Sequence, residues 1–241
     1  MLRRFASIAL LLFASAAMAQ ESKNGFVEKT HKNADGTESK YVVFVPHEYD
    51  GKKDYPIILF LHGSGETKGD RSGTMPVEQG IGPHIKRKEK TFPAFVVIPQ
   101  SEKRTWKADS DDGKRAMAML ETTMKEFKID SKRVCLTGLS MGGYGAWSFA
   151  AAHPEKWCCF VPICGGGDPK VAEKIKDLPC WCWHGDQDGA VKVDKSREMI
   201  EALKKAGGKP IYTELANVAH NSWDAAYATP DVVGWMMKQK K

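Results

Sequence analysis

One stretch near the middle of the chain, Cys135-Leu136-Thr137-Gly138-Leu139-Ser140-Met141-Gly142-Gly143-Tyr144-Gly145, narrows the choice of fold more than any other. It sets one serine among four glycines, directly after a run of apolar strand-formers. Glycine weakens strands and helices alike, so its clustering asks for a geometric reason. The spacing Gly138-x-Ser140-x-Gly142, between a buried strand and a helix, is that of a nucleophile elbow. The serine of such an elbow takes a strained backbone position, and bulky side chains two residues to either side would collide. Ser140 Oγ then points into a cleft above the carboxyl end of a sheet, at the N-terminus of the next helix.

The rest of the chain supplies a sheet for that elbow. Short apolar runs at Tyr41–Val45, Pro56–Leu61, Ala94–Ile98, Arg133–Thr137, Cys159–Ile163, Cys180–Trp183 and Ile211–Glu214 read as strands. Between them lie helical patterns at Lys114–Phe127, Met141–Ala152, Asp194–Ala206 and Pro230–Lys240. In the first of these, Met117, Leu120, Met124 and Phe127 repeat at helical spacing, and Asp111 and Asp112 suit its N-terminus. Asp109 with this acidic pair departs from calcium-loop spacing, and helix capping accounts for it. Continuous apolar strands alternating with helices imply an α/β fold, a mainly parallel sheet covered on both faces. No repeat, low-complexity tract or dividing linker interrupts it, so residues 20–241 are expected to form one domain.

Composition agrees with a single well-stocked core: 42% of the 241 residues are hydrophobic and 27% charged. Met1–Arg4 is basic, Phe5–Ala16 apolar and Ala17-Met18-Ala19 a small-x-small cleavage pattern, so residues 1–19 read as a signal peptide. The apolar run is short for a membrane span. The mature chain is therefore expected to be periplasmic or secreted, without stable membrane insertion. Its removal takes Arg3 and Arg4 away and lowers the net charge from +6 to +4, too little to argue for nucleic acid. The dense run Lys86-Arg87-Lys88-Glu89-Lys90 reads as a solvated helix end. The six cysteines, Cys135, Cys158, Cys159, Cys164, Cys180 and Cys182, sit in or beside apolar runs and read as small buried hydrophobes. No spacing among them resembles a zinc site, no metal is expected, and the sequence selects no disulfide pair.

A serine hydroxyl needs a base, and the base an orienting acid. The chain order in α/β-hydrolases is Ser, acid, His. Of the histidines beyond the elbow's helix, His184 abuts a strand and suits bracing a loop, whereas His220, in Asn217–Trp223, follows the last strand and is the expected base. Asp186 and Asp188, in the loop after Trp183, compete as the acid, with the later residue better placed to reach back. Two backbone N–H donors are needed for the oxyanion. Met141 follows the nucleophile, and the second comes from His62-Gly63-Ser64-Gly65-Glu66, with Ser64 ahead of Gly65.

Together "LHGSGE", "IPQ", "GLSMGGYGAW", "HGDQD" and "AHNSWDAAY" resemble the α/β-hydrolase carboxylesterases of the phospholipase/carboxylesterase and polyhydroxybutyrate-depolymerase-like group, which are similar to feruloyl and acetyl esterases. The resemblance runs from about Lys40 to the C-terminus. It implies an α/β-hydrolase fold, a Ser140–His220–Asp188 triad, Ser64 and Met141 as oxyanion donors, and no cofactor. It also implies substrate contacts at Gln100, Trp106 and Trp223, and a small-molecule or polysaccharide-linked ester substrate. The cysteines in core strands depart from the family pattern without touching this logic.

About a dozen residues separate the strands ending near Cys164 and starting near Pro179, which leaves no room for a large cap. The site is expected to be open, with part of its rim in Gly63–Thr91 and Tyr144 a further aromatic beside it. A serine peptidase, a polyester depolymerase and a catalytically silent binding protein on the same scaffold remain alternatives at this point. A dienelactone-type hydrolase would usually carry cysteine where Ser140 stands. Acyl group, alcohol and oligomeric state are not encoded in these motifs.

Overall fold

The structure, a computed structural model, describes residues 24–67, 73–228 and 230–241. The signal-peptide reading of residues 1–19 falls outside them. Among the described residues, eight strands form one sheet: β1 (Gly25–Lys32), β2 (Glu38–Val45), β3 (Tyr55–Leu61), β4 (Phe95–Pro99), β5 (Ile129–Leu139), β6 (Cys159–Ile163), β7 (Trp181–Gly185) and β8 (Ile211–Leu215). Their spatial order is β1-β2-β4-β3-β5-β6-β7-β8. β1 and β2 are antiparallel to their neighbours, and β4 through β8 pair in parallel. This is the mainly parallel α/β arrangement expected from the alternation of runs.

Among the described residues, seven α-helices connect and cover the strands: α1 (Ile81–Arg87), α2 (Asp111–Glu126), α3 (Met141–Ala152), α4 (Ala172–Ile175), α5 (Asp194–Lys205), α6 (Trp223–Ala228) and α7 (Pro230–Lys238). Parallel strands sandwiched between helices must be apolar on both faces. β3 and β4 are buried along their whole length, and two apolar layers lie on opposite sides of the sheet. One layer takes Leu120 of α2, Trp147 and Phe149 of α3, Ile175 of α4 and Met199 of α5. The other takes Ile81 and Ile85 of α1, Tyr227 of α6 and Met236 of α7. Each such side chain contributes about 1.5–3 kcal/mol when fully buried. The basic run at Lys86–Lys90 begins at the solvent end of α1, as its charge density implies.

Registry aligns the carboxyl ends that matter. Leu61 of β3 pairs with Gly138 of β5, Leu139 of β5 with Ile163 of β6, and Gly185 of β7 with Leu215 of β8. The loops leaving β3, β4, β5, β6, β7 and β8 therefore open at one edge of the sheet, where parallel α/β proteins hold their ligands. Between β6 and β7 the chain forms only a 3₁₀ turn at Pro169–Val171 and the four-residue α4. No cap domain stands there.

Candidate active site

Ser140 sits between the last residue of β5 and the first of α3, with φ 52° and ψ −116°. For a residue with a Cβ this conformation costs about 1–3 kcal/mol, which the packing around it must sustain. Its N–H donates to the Ile163 carbonyl at 2.9 Å, tying the turn to β6. Backbone crowding explains the two flanking glycines. A Cβ on Gly142 would stand 1.8 Å from the Leu61 carbonyl oxygen, and one on Gly138 would stand 2.3 Å from the Gly142 carbonyl oxygen.

The loop after β8 carries His220 to this serine. His220 Nε2 lies 2.9 Å from Ser140 Oγ, and His220 Nδ1 lies 2.6 Å from Asp188 Oδ2. Asp188 itself is held in a tight turn after β7. Its Oδ1 accepts from the N–H groups of Ala190 and Val191 at 2.8 and 2.9 Å. Burial opposes ionisation of Asp188, but its hydrogen bonds from His220 and from the Val191 and Ala190 amides prevail, and its carboxyl lies below the usual range. An ionised Asp188 holds a proton on His220 Nδ1 and leaves Nε2 free to accept one from Ser140.

Asp186 takes a different position. Its Oδ1 accepts from the Asn217 N–H at 2.7 Å, and its own N–H donates to Leu215. It laces the loop after β7 to the loop that bears His220. His184, fully buried, turns Nε2 toward both Asp188 Oδ2 at 3.1 Å and the Val191 carbonyl at 2.9 Å. Its Nδ1 meets Ser196 Oγ of α5 at 2.7 Å. Nε2 faces two acceptors, so it bears the proton. The loop brace read from the sequence is thus seated directly on the Asp188 carboxylate.

Met141 opens α3, where the first helical N–H groups have no partner within the helix. Across the cleft floor, a Cβ on Gly63 would come within 3.7 Å of Ser140 Cβ, so the stretch Gly63–Ser64 runs against the elbow. Ser64 starts a single 3₁₀ turn, Ser64–Glu66. His62, which sequence reasoning left without a task, fixes that stretch from below. Its Nε2 accepts the Ser101 N–H at 2.9 Å, while its Nδ1 donates to the Gly63 carbonyl. Burial pushes the His62 imidazole down to about 4. Asp112, in the first turn of α2, completes the support. It gathers the loop after β4 through Ser101 Oγ at 2.6 Å and the amides of Glu102 and Lys103, and it pairs with Arg115 of its own helix. Ser110, by contrast, is the helix cap, accepting from the Gly113 amide at 3.1 Å. An acidic residue amid capping residues carries no sequence signal that separates these two tasks.

Two of the expected substrate contacts are corrected. Trp106 is 2% exposed and lies beneath the cleft, its Nε1 donating to the His62 carbonyl at 3.0 Å. It supports the floor instead of meeting a ligand. Gln100 is buried with both ends of its amide in use, Nε2 to the Glu66 carbonyl and Oε1 from the Gly73 N–H. It straps the rim. Trp223 does reach the site, with its ring edge-to-face with His220 at 5.3 Å between centroids. Tyr144 is 40% exposed, one turn along α3 from Ser140. Cys164 Sγ lies within 4.8 Å of ligand atoms of Asp188 and His220, but burial pushes its thiol up to about 12. It stays protonated, and a protonated thiol is a poor nucleophile.

Known proteins similar to this chain include esterases. The BD-FAE family model matches residues 43–156. A probable feruloyl esterase C from Aspergillus terreus is 24% identical over 211 residues, 86% of this chain and 76% of that protein. Feruloyl esterase D from Neurospora crassa is 25% identical over 192 residues, 73% of this chain and 62% of that protein. Among solved structures, a thermostable esterase superposes with a TM-score of 0.79 at 32% identity, covering 90% of this chain and 63% of that one. The chain thus spans under two thirds of that esterase and of the Neurospora enzyme.

Proposed function

We propose that this chain, an α/β-hydrolase-fold carboxylic ester hydrolase similar to feruloyl esterases, cleaves its substrates by acyl transfer through Ser140, His220 and Asp188. The observation that carries the proposal is the unbroken relay from Ser140 Oγ to His220 at 2.9 Å and on to Asp188 at 2.6 Å. His220 removes the Ser140 proton as Oγ attacks the ester carbonyl. The amides of Met141 and Ser64 receive the negative charge that develops on the carbonyl oxygen. His220 then protonates the leaving alcohol, and a water molecule activated by the same imidazole releases the acid.

The acyl group we favour is short or aryl, of the acetyl or feruloyl kind, on a bulky or carbohydrate alcohol. Support comes from the uncapped passage between β6 and β7, from exposed Tyr144, and from Trp223 beside His220. Flat aromatic faces suit a cinnamoyl ring. Export through residues 1–19 belongs to the same proposal, and N-terminal sequencing of the purified protein checks it.

Hydrolysis of p-nitrophenyl acetate and methyl ferulate by the purified chain tests the reading. Ser140→Ala should remove turnover of both and also labelling by a fluorophosphonate probe. Turnover near that of the unaltered chain in this variant would refute the nucleophile assignment.

A further inference from the structure

On the far side of the elbow from its serine, β5 and β6 bring three sulfurs together. Cys135 and Cys159 are register partners on adjacent parallel strands, and Cys158 precedes β6 with its N–H on the Val134 carbonyl at 2.8 Å. Cys135 Sγ is 3.5 Å from Cys158 Sγ, which is 4.0 Å from Cys159 Sγ, and the three lie within 4.8 Å of one another. All three are at most 2% exposed. We propose that Cys135, Cys158 and Cys159 form a site for a soft monovalent metal ion, Cu(I), independent of the esterase chemistry.

The distances suit a trigonal site. A metal–sulfur bond of about 2.3 Å places three coplanar sulfurs about 4.0 Å apart. A disulfide, by contrast, needs sulfurs about 2.05 Å apart, much closer than the Cys135–Cys158 pair. The donor set also selects the ion. Zinc favours four ligands, whereas three thiolates match the preference of Cu(I) for soft donors.

Charge and access agree. Cys158 lines an open cleft of about 370 Å³ whose other walls include Lys174, Lys240 and Lys241, with Asp177. Binding converts three thiols and Cu⁺ into a tris-thiolate complex of charge −2 and releases three protons to solvent. The lysines offset that charge. The remaining cysteines lie elsewhere: Cys182 contacts Ser196, and Cys164 faces the catalytic residues.

The test titrates the full chain, reduced and without oxygen, with Cu(I) against the chromophoric chelator bathocuproine disulfonate. One equivalent of Cu(I) per chain should transfer to the protein, with a thiolate-to-metal charge-transfer band. Cys158→Ser and Cys159→Ser should each weaken retention more than about 100-fold, exceeding the effect of losing an outer-shell partner. Cys180→Ala should leave it unchanged. Far-UV circular dichroism reports folding of each variant without reference to activity. Failure of the unaltered chain to take Cu(I) from the chelator would overturn the site, as would equal retention by folded Cys158→Ser. So would a Cys135–Cys158 disulfide that resists reductant and leaves only the other four thiols to titrate.

Discussion

At the scale of single residues, two aspartates two positions apart divide their tasks by where their carboxylates point. Asp188 is 3% exposed and accepts from His220, while Asp186 is more exposed and accepts from a backbone amide of the neighbouring loop. Asp188→Asn should therefore lower kcat by about a thousandfold or more, because an amide stabilises the wrong imidazole tautomer. Asp186→Asn keeps an oxygen for the Asn217 amide and should stay within about tenfold of the unaltered chain. Steady-state kinetics on one aryl ester compare the two, and the opposite ranking would transfer the acid to Asp186. The choice between them was readable only as a matter of loop reach. The bond to Asn217 that occupies Asp186 joins residues 31 positions apart, and no local pattern announces it.

At the scale of elements, the site is a set of loops, each pinned by a helix or strand that does no chemistry. His184 at the end of β7 links the Asp188 turn to Ser196 of α5. Removing it in His184→Ala should lower kcat between about tenfold and a hundredfold with KM little changed, since the acid shifts by a fraction of an ångström. His184→Gln, which keeps a donor near Nε2, should recover most of that loss, whereas a purely structural role would give equal loss in both. Elements buried on both faces were the legible ones. β3, β4 and β6 appear in the sequence as unbroken apolar runs, and α3 begins and ends where the glycine-serine pattern and its apolar run imply. β1 escaped that reading because it is an edge strand whose side chains, in Gly25–Lys32, are mostly half-exposed and polar. α6 escaped because six residues are too few for a helical period to register. Trp106 was misread for the opposite reason. A large aromatic near the end of a strand looks the same in sequence whether it floors a cleft or lines it, and only its hydrogen bond to the His62 carbonyl tells the two apart.

At the scale of the whole molecule, the support beneath the site ties catalysis to stability. His62 is fully buried and its imidazole is lowered to about 4 by that burial, from 6.5 in the unfolded chain. Below pH 6.5 the unfolded chain takes up a proton that the folded chain refuses until about pH 4. Stability is therefore complete above this window and is lost as the pH falls through it, by up to about 3 kcal/mol. Denaturant unfolding at pH 7, 5.5 and 4 measures the slope, and folded His62→Gln, which does not titrate, should show a shallower one. The same molecule places no cap over the site between β6 and β7. The passage from β6 to β7 offers only a 3₁₀ turn and four residues of helix, where a mobile lid would need a hinged domain. Turnover should therefore rise smoothly with ester concentration through the point at which the ester separates into droplets. A passage this short between β6 and β7 offers no cap for an oil–water boundary to lift.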